Sequence, residues 1–323
     1  MPFSKSPAQY PPLRRDAIDP RLLELQGTQQ NADLLLCGVP FDGAVLGRKG
    51  AAGGPTAIRE AFRFLATHDP DNGVDLARFL WHDLGDVEGL AALKADDVLG
   101  AHEAVREALD PVFRKGKPVV VLGGDNSLSF PVVQALTAAR ATKPGKLGLV
   151  VLDAHYDVRP YKGQPNSGTP YGRILTELKG KPVEAAHLVE VGIRPYANTS
   201  HLAAQADKLG LKPITIGQVR SQGADEAAKQ ALRRAGDGTD TLWLSLDLDV
   251  LDQTVAPGVS APGIDGMRLS EAARIVDWIA RDPRCAGMDL IECAPNLDPT
   301  GNTARAAAYL VAVFMGGVAS RRH

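Results

Sequence analysis

Three cysteines in 323 residues, Cys37, Cys285 and Cys293, are too few and too scattered for a disulfide framework or a zinc knuckle. A reducing, cytoplasmic setting is the simplest reading. An excess of one charge is lacking as well. The 36 basic residues face 38 acidic ones, which argues against a nucleic-acid or anionic-membrane surface as the main business. The first residues, MPFSKSPAQYPPLRRD, hold no apolar stretch of the kind a secretory signal needs. Ala304 to Ala319 is largely apolar, but it contains Arg305 and falls short of a bilayer span, so it reads as a buried helix. No linker, fixed-period repeat or low-complexity tract divides the chain beyond a loose N-terminal segment. The expected organisation is an extension over residues 1–25 and one domain over 26–323, long enough to bury a substantial core.

What the chain does contain is an alternation. The strand candidates are DLLLCGVP (33–40), PVVVLGGD (118–125), LGLVVLDAH (147–155), HLVEVGI (187–193), KPITIGQV (212–219), TLWLSLDLDV (241–250) and AGMDLIECAP (286–295), with FLWHDLGDV (79–87) weaker. Several are nearly continuous apolar runs, the mark of parallel strands covered on both faces. Between them lie helix candidates: PTAIREAFRFLATH, AHEAVREALDPVFRKG, SLSFPVVQALTAAR, DEAAKQALRRAG and LSEAARIVDWIARD. This order predicts an α/β, single-domain, three-layer fold with a mainly parallel, roughly eight-stranded sheet.

Polar residues gather where four of these strands end. PVVVLGGD runs into Asn126, LGLVVLD into AHYD, LWLSLDLD into VLD, and GMDLIE into CAPNLD. In open parallel sheets, ligands bind outside the carboxyl ends of the strands. Asp153, His155 and Asp157 are spaced two apart, so an extended backbone would aim all three to one side. The same spacing puts Asp247 and Asp249 on the face of Trp243 and Ser245, with Leu244, Leu246 and Leu248 opposite. Four aspartates carried toward a core are costly unless cations meet them. Two divalent metals would restore the balance, in the manner of hydrolytic sites whose ions sit about 3.5–4 Å apart. Oxygen-dominated ligation with one imidazole suits Mn²⁺ better than Zn²⁺ or Cu²⁺. A lone DxHxD could instead line a polar turn, and a lone DxD could hold one Mg²⁺ with a nucleotide phosphate. Against the second, GGDNS (123–127) lacks the lysine of a phosphate-binding loop.

Taken together these residues resemble the ureohydrolases: arginase, agmatinase and formimidoylglutamase. The resemblance runs from VPFDG and GRKGAAGGPTAIR (within 39–59) to ECAPNLDPTGNTARAAAYL (292–310), with GGDNS, DAHYD, SLDLDVLDQTVAPG and MDLIE between, in the family's order. It implies an arginase-like catalytic domain with two Mn²⁺ per subunit and a homo-oligomer, trimer or hexamer. It also implies roles. Asp153 and Asp247 bridge both metals; His155 and Asp249 complete one site, and Asp157 and Asn126 the other. Glu292 holds the amidine or guanidine end of a small-molecule substrate, and Asp157 helps pass a proton to the departing amine.

One departure stands out. The usual GGDHS reads GGDNS, so Asn126 replaces an imidazole ligand and implies a weaker first metal site. A second concerns substrate. Arg159 stands where arginase-like members carry an asparagine, and an arginine can hold a carboxylate with two parallel hydrogen bonds. GQPNSGTPYGRIL (163–175) lacks the histidine that arginase uses as a proton shuttle; Thr169 falls near its place. Arg159, Asn166 and Ser167 are the candidates for holding the carboxylates of N-formimidoyl-L-glutamate. Hydrolysis of that amidine to glutamate and formamide is the expected activity, with agmatine or another guanidino compound as the alternative substrate. A non-catalytic relative is the other alternative, motivated by Asn126. Arg194, in a GIR that recurs across the family, is expected to be structural or to sit at a subunit contact. His82, His102, His187 and His201 are expected to be ordinary packing or solvent-exposed residues.

Overall fold

Runs of consecutive apolar residues become strands buried on both faces. The computed structural model describes Phe3 and residues 18–140 and 146–322. Its strands are β1 (Leu34–Gly38), β2 (His68–Asp69), β3 (Val74–Asp75), β4 (Trp81–Asp86), β5 (Val119–Leu122), β6 (Leu147–Leu152), β7 (Leu188–Ile193), β8 (Ile214–Thr215), β9 (Thr241–Asp247) and β10 (Cys285–Ile291). The two short ones, β2 and β3, make an antiparallel hairpin outside the reach of the apolar pattern. The other eight form one sheet in the order β4-β1-β5-β10-β9-β6-β7-β8. Every neighbouring pair in it is parallel.

The helices are α1 (Gly54–Ala61), α2 (Val98–Phe113), α3 (Ser129–Arg140), α4 (Pro170–Glu177), α5 (Ser200–Leu209), α6 (Ile216–Gln222), α7 (Ala224–Ala235), α8 (Leu269–Arg281) and α9 (Asn302–Ala319). Strand alternation divides the core into two layers. Leu35, Cys37, Val119, Val121, Leu149, Val151 and Trp243 pack with α2–α5. Leu34, Leu36, Val120, Leu122, Val150, Leu152, Leu244 and Leu246 pack with α1 and α6–α9. The result is the three-layer α/β fold, with α9 covering the second face as a buried helix.

Two segments differ from the pattern-based reading. KPITIGQV is a strand only at Ile214–Thr215, and Ile216–Val219 begin α6. Thr215 accepts from Gln218 N, and the Gln218 side chain accepts from Thr215 N, a reciprocal cap that starts a helix where apolar alternation alone implied a strand. PTAIREAFRFLATH is helical only to Ala61, then a tight turn over Phe62–Phe64, before β2 begins at His68.

Arg59, near the end of α1, is 2% exposed. Its Nε and Nη2 donate to the two carboxylate oxygens of Asp83 at 2.8 and 2.9 Å, and Nη1 donates to Asp86 at 2.6 Å. Nη2 also donates to Gly85 O at 3.1 Å. The Ile-Arg at the end of GGPTAIR thus ties the first helix to the edge strand β4. At the N-terminus, Leu22 and Leu25 join the second core layer, and Trp81 Nε1 donates to Leu22 O at 2.9 Å. Except for Phe3, the first 17 residues of the 1–25 extension lie outside the described residues.

Because all eight strands run one way, their carboxyl ends share one edge. β5, β10, β9 and β6 are successive neighbours. They are the strands that end in GGDN, IE, DLD and DAHYD.

Candidate active site

At three of these ends an aspartate turns the chain back on itself. Asp125 Oδ1 accepts from Ser127 N at 3.0 Å, Asp153 Oδ1 from His155 N at 2.6 Å, and Asp247 Oδ1 from Asp249 N at 2.8 Å. The spacing of two therefore works through a side-chain-capped turn and not through the strand pleat: β6 ends at Leu152, before DAHYD, and Asp249 sits in a tight turn over Leu248–Val250. Asp157 has φ 45° and Glu292 φ 67°, backbone geometry that non-glycine residues adopt at a cost of about 1–3 kcal/mol. Gly124 is required for a different reason. A Cβ there would lie 1.7 Å from Phe41 O, so the GGD loop passes too close to the 41–44 backbone for any side chain.

The turns bring the acids together. Ligand atoms of Asp153, His155 and Asp249 all lie within 4.8 Å of one another, and so do those of Asp153, Asp157 and Asp247. Asp153 belongs to both groups. His155 Nδ1 is 3.0 Å from Asp249 Oδ2 and 3.5 Å from Asp153 Oδ1. Asp153 and Asp247 are buried at 0% and 2% exposure, and Asp249 at 3%. Burial, then Asp249, raises Asp153 to about 6. Asp157 and Asp247 are held well above the usual carboxylate range, first by burial and then by Asp153 and Asp249 respectively. His155 is pushed up to about 12, chiefly by Asp249. The cluster thus gathers positive charge, from protons if nothing else. A divalent pair fits it: the donors are mainly hard oxygens with one imidazole, the set suited to Mn²⁺.

Asn126, 1% exposed, stands against the second group. Its Nδ2 donates to Asp157 Oδ2 and, at 3.3 Å, to Asp153 Oδ2. Its Oδ1 faces inward, toward Ser129 Oγ at 3.1 Å. Glu292 Oε1 accepts from Asn126 N at 2.8 Å, while Oε2 is buried without a hydrogen-bond partner among the described residues. Burial, then Asp125, raises Glu292 to about 8.

A cavity of about 260 Å³ opens onto these groups. Its lining includes Asn126, His155, Asp157, Asp247, Asp249 and Glu292, and also Arg159, Ser167 and Leu46. Asp153, fully buried, is not part of the lining. Arg159 is exposed, and no carboxylate pairs with it among the described residues. Ser167 Oγ accepts from Leu46 N at 3.1 Å. Asn166 is not among the lining residues; its Oδ1 accepts from Gly168 N at 3.0 Å, within the loop. Thr169 Oγ1 donates to Asn166 O at 2.6 Å and likewise stays out of the lining. Cys293 is buried and free, its thiol pushed up to about 12 by burial.

Arg194 has the structural role expected of it, and the motifs assign no role to two further supporting residues, Asp289 and Glu190. Arg194, 8% exposed, donates from Nη1 to Asp249 O at 3.2 Å and so braces that turn. Asp289 and Glu190 are lone acids inside the apolar strands β10 and β7. Asp289 is held by Trp243, Ser129 and Ser245. Both oxygens of Glu190 are buried without partners among the described residues, and burial, then Asp153, holds it well above its usual range. The signal was visible in both cases: one charge in an otherwise apolar run.

Comparison with known proteins agrees with this architecture. The family described as "Arginase family" matches residues 32–316. A formimidoylglutamase of Halobacterium salinarum is 39% identical over 289 residues, covering 88% of each chain. The crystal structure of formimidoylglutamase from Bacillus subtilis superposes with a TM-score of 0.87 at 28% identity, covering 100% of this chain and 98% of that one. Trypanosoma cruzi formiminoglutamase, solved with two Mn²⁺, superposes with a TM-score of 0.84 at 30% identity, over 94% and 99%. Matched by the family over residues 32–316 and 39% identical to a relative covered over 88% of its length, this chain belongs to the arginase family.

Proposed function

We propose that the protein is a manganese-dependent formimidoylglutamase, hydrolysing N-formimidoyl-L-glutamate to L-glutamate and formamide. The observation that carries the substrate is Arg159, an unpaired guanidinium at the rim of the cavity whose floor holds the acid cluster. An acidic substrate meets it favourably; agmatine, cationic and without a carboxylate, does not.

Asp153, Asp247, His155 and Asp249 would hold one Mn²⁺, and Asp153, Asp247, Asp157 and Asn126 the other. When bound, the pair supplies Lewis acidity and a water of lowered pKa. The protein's own side chains do the rest. Glu292 offers its unpartnered Oε2 to the N–H groups of the amidine and fixes the carbon above the cluster. Arg159 takes a glutamate carboxylate, with Ser167, which also lines the cavity, assigned to the other; Asn166, outside the lining, shapes the loop that carries Ser167. The reaction breaks the bond between the amidine carbon and the glutamate nitrogen, and that nitrogen leaves as an amine once protonated. Asp157 is the side chain assigned to pass a proton to that nitrogen.

The same reading includes a homo-oligomer, trimer or hexamer, and a cytoplasmic location. Three buried, free thiols are in keeping with a reducing compartment. No helix among the described residues is long and apolar enough to cross a membrane. The test is product release by Mn²⁺-loaded protein offered N-formimidoyl-L-glutamate, agmatine, arginine and guanidinobutyrate separately. Preference for the first is expected. Faster turnover of agmatine would remove the role given to Arg159. No turnover of any, with metal bound, would favour the non-catalytic alternative.

A further inference from the structure

Beneath Asn126 lies a set of buried polar groups whose shortest hydrogen bonds assign each hydroxyl proton. Ser129, at the start of α3 and 0% exposed, has a single hydroxyl proton. Three oxygens compete for it: Asp289 Oδ2 at 2.6 Å, Asn126 Oδ1 at 3.1 Å and Ser245 Oγ at 3.1 Å. The carboxylate is both nearest and the strongest acceptor. Ser245 likewise gives its proton to Asp289 Oδ2, at 2.8 Å, and Trp243 Nε1 donates to Oδ1. Tyr171 OH is 3.0 Å from Ser245 Oγ but 3.5 Å from Asn126 Oδ1, so it serves Ser245. Ser129 therefore faces Asn126 as an acceptor only.

That leaves the Asn126 carbonyl oxygen meeting an acceptor inside the protein, and its NH₂ meeting Asp153 and Asp157 outside. The outward arrangement suits bare carboxylates. It has the wrong sign for a cation. Turning the amide over corrects both faces at once: NH₂ then donates to Ser129 Oγ, and the carbonyl oxygen faces the acids' cation. The backbone need not move, because Glu292 Oε1 already holds Asn126 N at 2.8 Å.

We propose that Asp289 and Ser129 are positioning residues that set the Asn126 amide carbonyl-outward, so that an asparagine can serve as a metal ligand at this position. Asp289 fixes the Ser129 proton, and Ser129 then accepts from Asn126. The chain does for an amide what a carboxylate partner does for a metal-bound histidine. The inference rests on the reading of Asn126 as a ligand.

The test is Mn²⁺ titration of the full chain by calorimetry, with electron paramagnetic resonance to distinguish a coupled Mn²⁺ pair from a single ion. Ser129→Ala is expected to weaken the weaker of the two sites by about 10-fold or more and leave the tighter one unchanged. Ser129→Thr, which keeps the hydroxyl, should restore it. Asp289→Asn frees the Ser129 proton without changing side-chain size and should weaken the same site, so the inference does not depend on one variant. In an Asn126→Asp background both side-chain oxygens are equivalent and orientation no longer matters. There Ser129→Ala should have little effect. Loss with Asn126→Ala but none with Ser129→Ala or Asp289→Asn would overturn the positioning role and leave the ligand in place, as would an equal Ser129→Ala loss in both backgrounds. No effect of Asn126→Ala would remove the ligand itself, and the inference with it.

Discussion

Replacing the buried Arg59 by alanine should sharply destabilise the β4 edge of the sheet. The guanidinium makes four hydrogen bonds: two to Asp83, one to Asp86 and one to Gly85 O. Its truncation strands Asp83, which is 6% exposed and would keep only Gly85 N, at 2.9 Å, as a donor. Breaking a buried ion pair from one side typically costs about 3–5 kcal/mol, because the remaining charge has neither water nor a partner. Arg59→Lys keeps the charge but not the fork, and should fall in between, at about 1–2 kcal/mol. The assay is urea unfolding of the metal-loaded chain, comparing Arg59→Ala, Arg59→Lys, Asp83→Ala and the double Arg59→Ala/Asp83→Ala. Truncating both partners removes the stranded charge, so the double variant should be no less stable than Arg59→Ala. Turnover by the folded fraction should be unchanged, since β4 lies at the edge of the sheet and two strands from β5. A loss below about 1 kcal/mol for Arg59→Ala would refute the reasoning, because it would mean that Asp83 is not stranded.

Other outcomes follow from the site itself. Arg159→Ala should raise KM for N-formimidoyl-L-glutamate by about 10- to 150-fold, the value of one charge-assisted contact, with kcat changed far less; an unchanged KM in steady-state assays would exclude the carboxylate contact. Glu292→Gln keeps an acceptor for Asn126 N but turns the unpartnered Oε2 into a donor, so kcat/KM should fall by at least about 30-fold, or about 2 kcal/mol; retention of full activity would mean that the amidine binds elsewhere. Mn²⁺ at 100 times its dissociation constant should stabilise the fold by about 2.7 kcal/mol per site, visible as a Tm that falls on chelation; a Tm indifferent to chelator would argue against the acid cluster as a metal site. His102 is lowered to about 3 by burial and then by Arg173, and it sits between Arg173 Nη1 at 3.0 Å and Ser127 Oγ at 3.1 Å. Its unfolded form takes a proton near 6.5, so it contributes stability that is full above 6.5 and is lost as pH falls toward 3, with a limiting slope of about 1.4 kcal/mol per pH unit. His102→Gln should therefore flatten the acid side of the stability curve; identical curves would contradict a neutral, buried imidazole.

The sheet was legible because its strands are buried on both faces, and continuous apolar runs such as LLLCG and VVVL have few other uses. KPITIGQV supplies only the two-residue strand β8, because its capping pair outweighs its apolar residues. Thr215 and Gln218 stand three apart, a helix-start signal present in the sequence and stronger than the short alternation around it. The antiparallel β2–β3 hairpin had no such signal. It is two residues on each side and half exposed, so nothing in its burial needed an apolar pattern.

The acid cluster was legible for a reason other than the one that pointed to it. Spacing of two suggested a strand face, yet Asp153, His155 and Asp157 all lie beyond the end of β6. What the spacing encodes is an aspartate that caps its own turn: Asp125 with Ser127, Asp153 with His155, Asp247 with Asp249. A residue two positions after such an aspartate has its backbone N–H tied to the first carboxylate, so its side chain must leave the turn near that carboxylate. The pleat and the turn thus predict the same neighbours from the same spacing, which is why the motif survived a wrong account of its geometry. No comparable rule reaches Ser129, Tyr171 or Asp289. Each is local to a different element, and their meeting under Asn126 depends on α3 and α4 packing over β9 and β10 in register. A lone acid in an apolar strand announces that some partner exists; only the packed fold says which, and here Asp289 takes Trp243, Ser245 and Ser129, the last of which faces Asn126.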